Sequence, residues 1–140
     1  MFKQLLLEWV VKQRLKKTQV SEDYKVEAYL EKIPEYFDAE KAADNKLTVV
    51  YEIHDSGENN GAWTVRIADG KCTLSKGAVD EYDTLLYMTA DSYRRILSGR
   101  LDYARLAYST GAVRFFGNSL GQRELNEYLT IPKGAGVAAL

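Results

Sequence analysis

The sequence has little of what most catalytic and metal-binding sites require. Its 140 residues include one cysteine, Cys72, and one histidine, His54. A single cysteine cannot form a disulfide within the chain, and one residue of each type cannot assemble a zinc site of the usual kind. Cys72 and His54 could still act together as nucleophile and base, but Cys72 lies in an alternating apolar run, where a small core residue is the simpler interpretation. We therefore expect no enzyme activity and a reducing compartment.

Long hydrophobic runs are also missing. No stretch approaches the ~20 consecutive apolar residues that a membrane-spanning helix needs. Near the amino terminus Glu8 interrupts the apolar stretch and Lys12 and Arg14 follow it, whereas a secretory signal places its basic residues first. We therefore expect a cytoplasmic protein. Its net charge of −1 gives no reason to expect nucleic acid as a partner.

Residues 1–25 form an N-terminal extension that is both basic and apolar. Within it, residues 2–17 have the period of a helix, with one apolar stripe from Phe2 to Val10 and a second from Leu7 to Leu15. A helix that is apolar on two sides needs more contacts than a simple surface helix. It could pack on its own domain, on a second subunit in a homodimer, or transiently on a membrane with its basic residues at the headgroups. The two stripes favour protein contacts.

Further helices are predicted on both sides of a strand-rich middle. The stretch from Val26 to Phe37 is helical with a break forced by Pro34, and Asp38 is expected to cap a short turn after it. Beyond the middle, Asp91 or Ser92 is expected to cap a helix.

Three more features complete the predicted helical part. Gly99 would close the helix that begins near Asp91, and a further helix is expected from Leu101 to Tyr108. Ser119 and Gln122 match the capping box of a last helix, which Pro132 would end.

Five strands are predicted from the alternation of apolar and polar residues. They run from Leu47 to Ile53, Trp63 to Ile67, Cys72 to Leu74, Thr84 to Thr89 and Val113 to Phe116. Asp69-Gly70 is the strongest hairpin signal in the chain. The order is helices, four antiparallel strands, helices, one strand and a helix, which indicates an α+β domain.

Residues 26–129 resemble the sterol-carrier-protein type 2 domain, the non-specific lipid-transfer family. The most specific segment is residues 91–125, which reads DSYRRILSGRLDYARLAYSTGAVRFFGNSLGQREL. It resembles the family pattern of a capped helix, a glycine, Leu-Asp, a second helix, a Gly-x-hydrophobic-x-hydrophobic-x-Gly-Asn run and a closing helix. Upstream, IPEYFDAEKA, WTVRIADGKCTLSKG and Asp83 follow in the family's order.

The resemblance implies a five-stranded, mostly antiparallel sheet with helices packed on one face, enclosing an apolar tunnel. It implies reversible, non-enzymatic binding and transfer or presentation of a fatty acid, fatty acyl-CoA, sterol or phospholipid, and it implies no cofactor. The lipid-binding domain would span residues 26–132, and residues 133–140 would be a tail. Burial of apolar area at about 25 cal/mol per Å2 suffices for such ligands without a polar constellation.

In this fold two sets of side chains would face each other across the tunnel. The ligand-binding residues expected on the sheet are Val65, Ile67, Leu74, Leu86, Met88, Val113 and Phe115. Those expected on the helices are Ile96, Leu97, Leu120, Leu125, Tyr128 and Leu129. The same residues could instead fill the space as an ordinary core. In that case the protein would be a scaffold or interaction subunit that associates with a lipid-metabolising enzyme.

The outer face of the sheet departs from the family. Leu85, Tyr87 and Phe116 occupy positions that are expected to face away from the helices. An apolar outer face needs a cover, and the N-terminal helix or a second subunit would supply it.

Overall fold

The computed structural model describes residues 24–55, 57–97 and 113–130. These residues form five helices and five strands. The helices are α1 (Val26–Leu30), α2 (Lys32–Tyr36), α3 (Ala39–Ala42), α4 (Ala90–Leu97) and α5 (Gly121–Glu127). The strands are β1 (Leu47–His54), β2 (Gly61–Ala68), β3 (Lys71–Lys76), β4 (Thr84–Thr89) and β5 (Val113–Gly117). The predictions for residues 2–17, for Gly99, for residues 101–108 and for the tail lie outside the described residues.

All five strands belong to one sheet with the order β3-β2-β1-β4-β5. The β1–β2, β2–β3 and β4–β5 pairs are antiparallel, and β1 and β4 are parallel. The prediction of an α+β fold with a mostly antiparallel sheet is confirmed. The prediction that the first four strands are all antiparallel is wrong, because β4 lies beside β1 rather than beside β3. Alternation along a strand identifies the strand but carries no information about its neighbour.

The connection from β3 to β4 runs over the face of the sheet opposite the helices that the structure describes, and we call this the outer face. The Thr64 hydroxyl, which points to this face, donates to the carbonyl of Gly77 at 2.7 Å. At the other end of the connection the amide of Thr48 donates to Asp83 Oδ2 at 2.7 Å. Val50 lies on the same face between these two anchors and is fully buried.

The β2–β3 hairpin matches the prediction. Asp69 and Gly70 have φ values of 53° and 71°. A two-residue turn of the mirror-image type needs positive φ at both positions, which Asp-Gly tolerates well.

The inner face of the sheet carries the core. Paired residues on this face include Tyr51 and Trp63, Val65 and Leu74, and Leu86 and Phe115. These strands bring large apolar side chains into one layer beneath the helices. The alternation seen in the sequence therefore places the predicted sheet residues on the helical side.

Two predicted helix boundaries need correction, and a third prediction, the cap of α3, is confirmed. The first helical stretch breaks at Glu31, and Pro34 lies in the first turn of α2, where a missing N–H has no helical partner to lose. Helix α4 begins at Ala90, and the Thr89 hydroxyl, rather than Asp91 or Ser92, accepts the capping bond, from the Ser92 amide at 3.1 Å. Asp38 caps α3 as predicted, accepting from the amides of Glu40 and Lys41.

The predicted capping box at Ser119 and Gln122 is also wrong. Leu120 is the residue before α5, and no side chain caps that helix. Asn118 Oδ1 accepts from the Leu120 amide at 2.9 Å, which organises the turn that precedes the helix. Gln122 is buried and turns inward instead of reaching back to the helix start.

Candidate ligand-binding site

Most of the residues predicted to line a lipid site come together in one apolar layer. Those buried in the core are Val65, Ile67, Leu86, Met88, Ile96, Val113, Leu125, Tyr128 and Leu129. Leu74 and Phe115 are partly buried and pack against this core. The side chain of Leu97 is outside the described part of the chain. That these residues contact a lipid remains a prediction.

Leu120 is a correction to the predicted set. Its side chain is 62% exposed, because it stands before the first turn of α5 and not on the face that meets the sheet. The helical spacing between Leu120, Leu125 and Leu129 does not reveal that the helix begins at Gly121, one residue after Leu120.

A polar cluster that the sequence did not predict lies inside the apolar layer. The Tyr51 hydroxyl donates to Gln122 Oε1, and Gln122 Nε2 donates to Asn126 Oδ1 at 3.3 Å. The ring of Tyr93 meets that of Tyr51 edge-on at 6.1 Å. Burial raises the pKa of Tyr51, and the bond to Gln122 opposes this only in part. The bond between Tyr51 and Gln122 therefore joins α5 to the central strand, β1.

A cleft lies at the edge of the sheet, and we call it the edge-strand cleft. It has a volume of about 370 Å3 and separates α1 and α2 from β3. Pro34 forms its roof, Cys72 and Leu74 form its floor, and Trp63 lies at its inner end. Both floor residues are only partly buried, because β3 is an edge strand that the helices do not fully cover.

Hydrogen bonds from Asn59, in the β1–β2 loop, and from Tyr24 hold α1 in place beside the edge-strand cleft. Asn59 Oδ1 accepts from the amide of Val26 at 2.9 Å, and Asn59 Nδ2 donates to the carbonyl of Tyr24 at 3.3 Å. The Tyr24 hydroxyl also donates to the carbonyl of Ala90 at the start of α4. These bonds hold the first turn of α1 against the rest of the fold.

Trp63 at the inner end of the cleft is 2% exposed. Its Nε1–H is buried and has no hydrogen-bond partner among the residues that the structure describes. In the sequence Trp63 alternates with Val65 and Ile67, which predicts an inward side chain but says nothing about the partner of its N–H.

The rim of the edge-strand cleft is charged. Glu27 and Glu31 extend from the helical side, and Lys76 stands on β3 opposite Trp63. All three are exposed. In the described part of the chain no ion pair involves any of them.

The two residues considered for nucleophilic chemistry lie on opposite faces of the sheet. Cys72 is on the inner face beside Ile67, and burial raises the pKa of its thiol to about 11. His54 is on the outer face, where its ring stacks on Tyr87 at 3.9 Å. A nucleophile–base pair of Cys72 and His54 is therefore wrong. Within residues 24–55, 57–97 and 113–130, no three His, Cys, Asp or Glu side chains gather as metal ligands.

The outer face holds a second cleft and an apolar patch. The cleft, of about 410 Å3, is lined by Lys46, Arg66 and Glu81 among others, and this mixture of charges does not suit an alkyl chain. The patch consists of Tyr87 and Phe116, which are 38% and 47% exposed as predicted, beside Leu85, which is buried. None of the helices that the structure describes is long and apolar enough to cross a membrane.

The chain matches no protein-family model and no curated protein. Its similarities are to solved structures. The stereoselective inverting sec-alkylsulfatase Pisa1 from Pseudomonas sp. is 16% identical over 83% of this chain, with a TM-score of 0.68. The sterol carrier protein domain 2 of Helicoverpa armigera is 17% identical over 79% of this chain and 89% of its own, with a TM-score of 0.56. Sterol carrier protein-2 like-3 from Aedes aegypti is 18% identical over 74% of this chain and 94% of its own, with a TM-score of 0.51.

These similarities define the fold. The chain has the sterol carrier protein 2 fold, as the resemblance in the sequence predicted. It spans only 18% of the length of the alkylsulfatase chain, so in that enzyme the fold forms one part of a much larger protein.

Proposed function

We propose that the protein is a non-enzymatic lipid carrier, which binds an apolar molecule reversibly and transfers or presents it. The candidate ligands are a fatty acid, a fatty acyl-CoA, a sterol and a phospholipid. Residues 26–132 form the lipid-binding domain in this proposal. The observation that carries it is the edge-strand cleft, because its lining includes Trp63, Cys72 and Leu74, which belong to the apolar layer between sheet and helices or pack against it.

The register of the strands supports a path from the cleft into the interior. Cys72 and Leu74 on the floor pair with Ile67 and Val65, which are fully buried. A lipid chain that enters over β3 would therefore continue along apolar side chains. Each buried methylene contributes about 0.8 kcal/mol, so a segment of several methylenes supplies the free energy for binding. Met88, deeper in the layer, has the adaptable side chain that a ligand-filled core needs.

The proposed absence of catalysis rests on the geometry of the chain itself. The only cysteine and the only histidine lie on opposite faces of the sheet. The similarity to an alkylsulfatase covers less than a fifth of that enzyme, so it gives no support for the same activity in this chain. We place the carrier in the cytoplasm, where the single free thiol stays reduced.

A second candidate function is a scaffold with a filled interior. It is favoured by the packing of the described core, in which nine of the predicted ligand-contact residues are already buried against one another. The outer-face patch of Tyr87 and Phe116 would then be the protein-interaction surface. It would bind a second copy of the chain or a lipid-metabolising enzyme, together with residues 1–25, which could also touch a membrane transiently.

Blocking the edge-strand cleft tests the carrier proposal. Leu74→Trp places a large ring on the inner face of β3, and we expect it to weaken binding of the uncharged fluorophore diphenylhexatriene at least about tenfold. Ser75→Trp places the same ring one residue away on the outer face, where Ser75 is exposed, and should leave binding unchanged. Fluorescence titration measures both variants, and thermal unfolding verifies that each folds.

Mass spectrometry of organic extracts from the purified protein completes the test. A carrier should release a lipid in a fixed ratio to protein. If no lipid is extracted and the unmodified protein does not bind the fluorophore, the carrier proposal is wrong and the scaffold is favoured.

A further inference from the structure

Neighbouring aromatic side chains are exposed on the outer face of the sheet. In the described part of the chain three large hydrophobic side chains are exposed, and two of them, Tyr87 and Phe116, form the outer-face patch. Phe116 pairs with Leu85 across the β4–β5 ladder, and the ring of His54 stacks on Tyr87 from the β1 side. Single exposed apolar side chains are common, but adjacent ones mark a surface that contacts another segment or molecule.

The described chain begins at the end of the sheet where β1 and β4 finish. The buried Tyr24 donates from its hydroxyl to the carbonyl of Ala90, the residue that follows β4. Its own carbonyl accepts from Asn59 Nδ2, in the loop that follows β1, at 3.3 Å. Because β1 and β4 are parallel, both attachments lie at one end of the sheet. Tyr87 is three residues before Ala90, which is about 10 Å along a strand, so the chain that precedes Tyr24 starts close to the patch.

The chain before Tyr24 has the length and the apolar side chains to cover the patch. Residues 18–23 reach up to about 20 Å when they are extended, and the helix predicted for residues 2–17 is about 24 Å long. The six residues of β4 span about 20 Å, so a helix laid along β4 and β5 covers both exposed rings. The stripe from Phe2 to Val10 offers five large apolar side chains for this contact.

The charges of this segment and of the outer face are complementary. Residues 1–17 carry five basic side chains and one acidic side chain, a net charge of +4. The β3–β4 connection, residues 77–83, carries three acidic side chains and no basic one, a net charge of −3. These carboxylates are Asp80, Glu81 and Asp83. All three are exposed, and no ion pair among the described residues involves them. Glu52 and Arg114 flank Tyr87 on either side and offset each other, so the connection supplies the net attraction.

We propose that residues 2–17 form a helix on the outer-face patch of their own chain, with the stripe from Phe2 to Val10 against Tyr87 and Phe116. The stripe from Leu7 to Leu15 lies on the opposite side of the predicted helix and takes no part in this contact. The inference goes beyond the lipid-carrier function and does not depend on lipid binding. A second copy of the chain, which the scaffold function would place on the patch, is the competing occupant.

Hydrogen exchange of the full chain, followed by mass spectrometry, tests the contact from the side of the sheet. Amide hydrogens of residues 2–17 should be protected in the unmodified protein, because a helix that is packed on a sheet opens rarely. Phe116→Lys places a charge in the contact, and we expect these amides to exchange at least about tenfold faster. Thr73→Lys adds the same charge at the opposite edge of the outer face and should leave their exchange unchanged. Unprotected amides in the unmodified protein overturn the inference.

Substitutions in the segment test the contact from the other side. Trp9→Lys places a charge in the stripe that faces the patch, and it should accelerate exchange of residues 2–17 as Phe116→Lys does. Val11→Lys places the same charge in the opposite stripe and should have little effect. Equal effects of Trp9→Lys and Val11→Lys overturn the assignment of the stripe to the patch. Because Trp9 lies outside the sheet, this pair of variants decides the question even if Phe116→Lys does not fold.

The double variant shows whether the two substitutions act at one contact. If Trp9 and Phe116 belong to the same contact, either substitution alone releases the segment. Trp9→Lys with Phe116→Lys should then exchange no faster than the faster single variant. Two substitutions that act at separate places would instead multiply their effects, and this result overturns the inference.

Dilution separates a cover from the same chain from a cover by a second copy. A contact within one chain does not depend on protein concentration, whereas a contact between copies weakens by mass action. Exchange of residues 2–17 should therefore be the same at two protein concentrations about a hundredfold apart. Protection that disappears on dilution, together with a mass in solution that falls to that of a single chain, means that a second copy covers the patch and overturns the inference.

Discussion

Cys72 and Trp63 both line the edge-strand cleft, and both have a polar group in apolar surroundings. For Cys72 the consequence is a raised pKa, because burial disfavours the thiolate. For Trp63 it is a buried N–H that has no partner among the residues that the structure describes.

The raised pKa of Cys72 predicts slow alkylation of the thiol. With a pKa of about 11, the thiolate fraction at neutral pH is about a hundredfold smaller than for an unperturbed thiol. The rate of reaction with iodoacetamide should therefore keep rising with pH to about 11. The same thiol in urea-unfolded protein serves as the control and should level off near its ordinary value. A folded-state rate that levels off near that value would contradict the burial of Cys72.

The raised pKa of Cys72 also determines how this thiol changes the folding stability with pH. The folded state holds the thiol proton more tightly than the unfolded state does, so the contribution of Cys72 is complete below the unfolded pKa. It is lost as the pH rises through about 11. Burial also raises the pKa values of Tyr24, Tyr51 and Tyr93, so these groups act in the same direction at alkaline pH.

Side-chain orientation could be predicted from the sequence at this scale, but hydrogen-bond partners could not. Alternation placed Val65 and Trp63 on the inner face, because that period is a property of the backbone. The partner of Gln122 is Tyr51, which lies 71 residues earlier in the chain, and no local pattern reports such a pair. The same limit applies to the unpaired N–H of Trp63.

At the scale of elements, the contact between α5 and β4 depends on a residue without a side chain. A Cβ built on Gly121 would stand 1.8 Å from Thr84 Oγ1 and 2.6 Å from Thr84 Cβ. Thr84 also donates from its hydroxyl to the carbonyl of Asn118, which precedes the helix. The helix therefore lies as close to the sheet as a glycine allows.

Gly121→Ala should destabilise the fold by separating α5 from β4. We expect a loss of at least about 1–3 kcal/mol in the free energy of unfolding, the usual range for overpacking. Gly57→Ala is the control, because its new Cβ would meet only Asp55 Oδ1, at 3.9 Å. Urea denaturation measures both. A loss for Gly121→Ala within about 0.5 kcal/mol, like that of a neutral surface change, would mean that the helix can shift without cost.

Element types were more predictable than their arrangement. The strand regions and the Asp69-Gly70 turn follow from local preferences and are correct. The parallel β1–β4 pair follows from the crossing of the outer face by the β3–β4 connection, and local preferences do not encode that path. The start of α5 was misplaced because Ser119 and Gln122 satisfy a capping pattern, while the stronger demand on Gln122 is its buried bond to Tyr51.

For the whole molecule, the two faces of the sheet have different covers. The described helices lie on the inner face, and Val50 and Thr64 are buried on the outer face, where the Thr64 hydroxyl bonds to the connection that leads to β4. Tyr87 and Phe116 remain exposed beyond that connection. Under the proposal that a second copy associates there, these two residues are the contact.

Phe116→Lys tests this association in solution. A charge in the centre of the patch should convert a dimer into single chains, because burying an unpaired lysine is unfavourable. Thr73→Lys adds the same charge on the outer face at the opposite edge of the sheet, and it should leave the mass unchanged. Sedimentation equilibrium gives the mass in solution of the unmodified protein and of both variants. Equal masses for the three would exclude the patch as the contact.

The parallel pairing of β1 and β4 also divides the folding problem in two. The strands β1, β2 and β3 are joined by short turns, so their half of the sheet, including the floor of the edge-strand cleft, can form from local contacts. The other half forms only when β4 pairs with β1, which brings Val49 next to Thr84. Closing the loop of chain between these two residues costs conformational entropy. Leu86, Met88 and Phe115 therefore join the apolar layer only through a long-range closure, whereas the wall formed by Trp63 and Leu74 is set by its own hairpin.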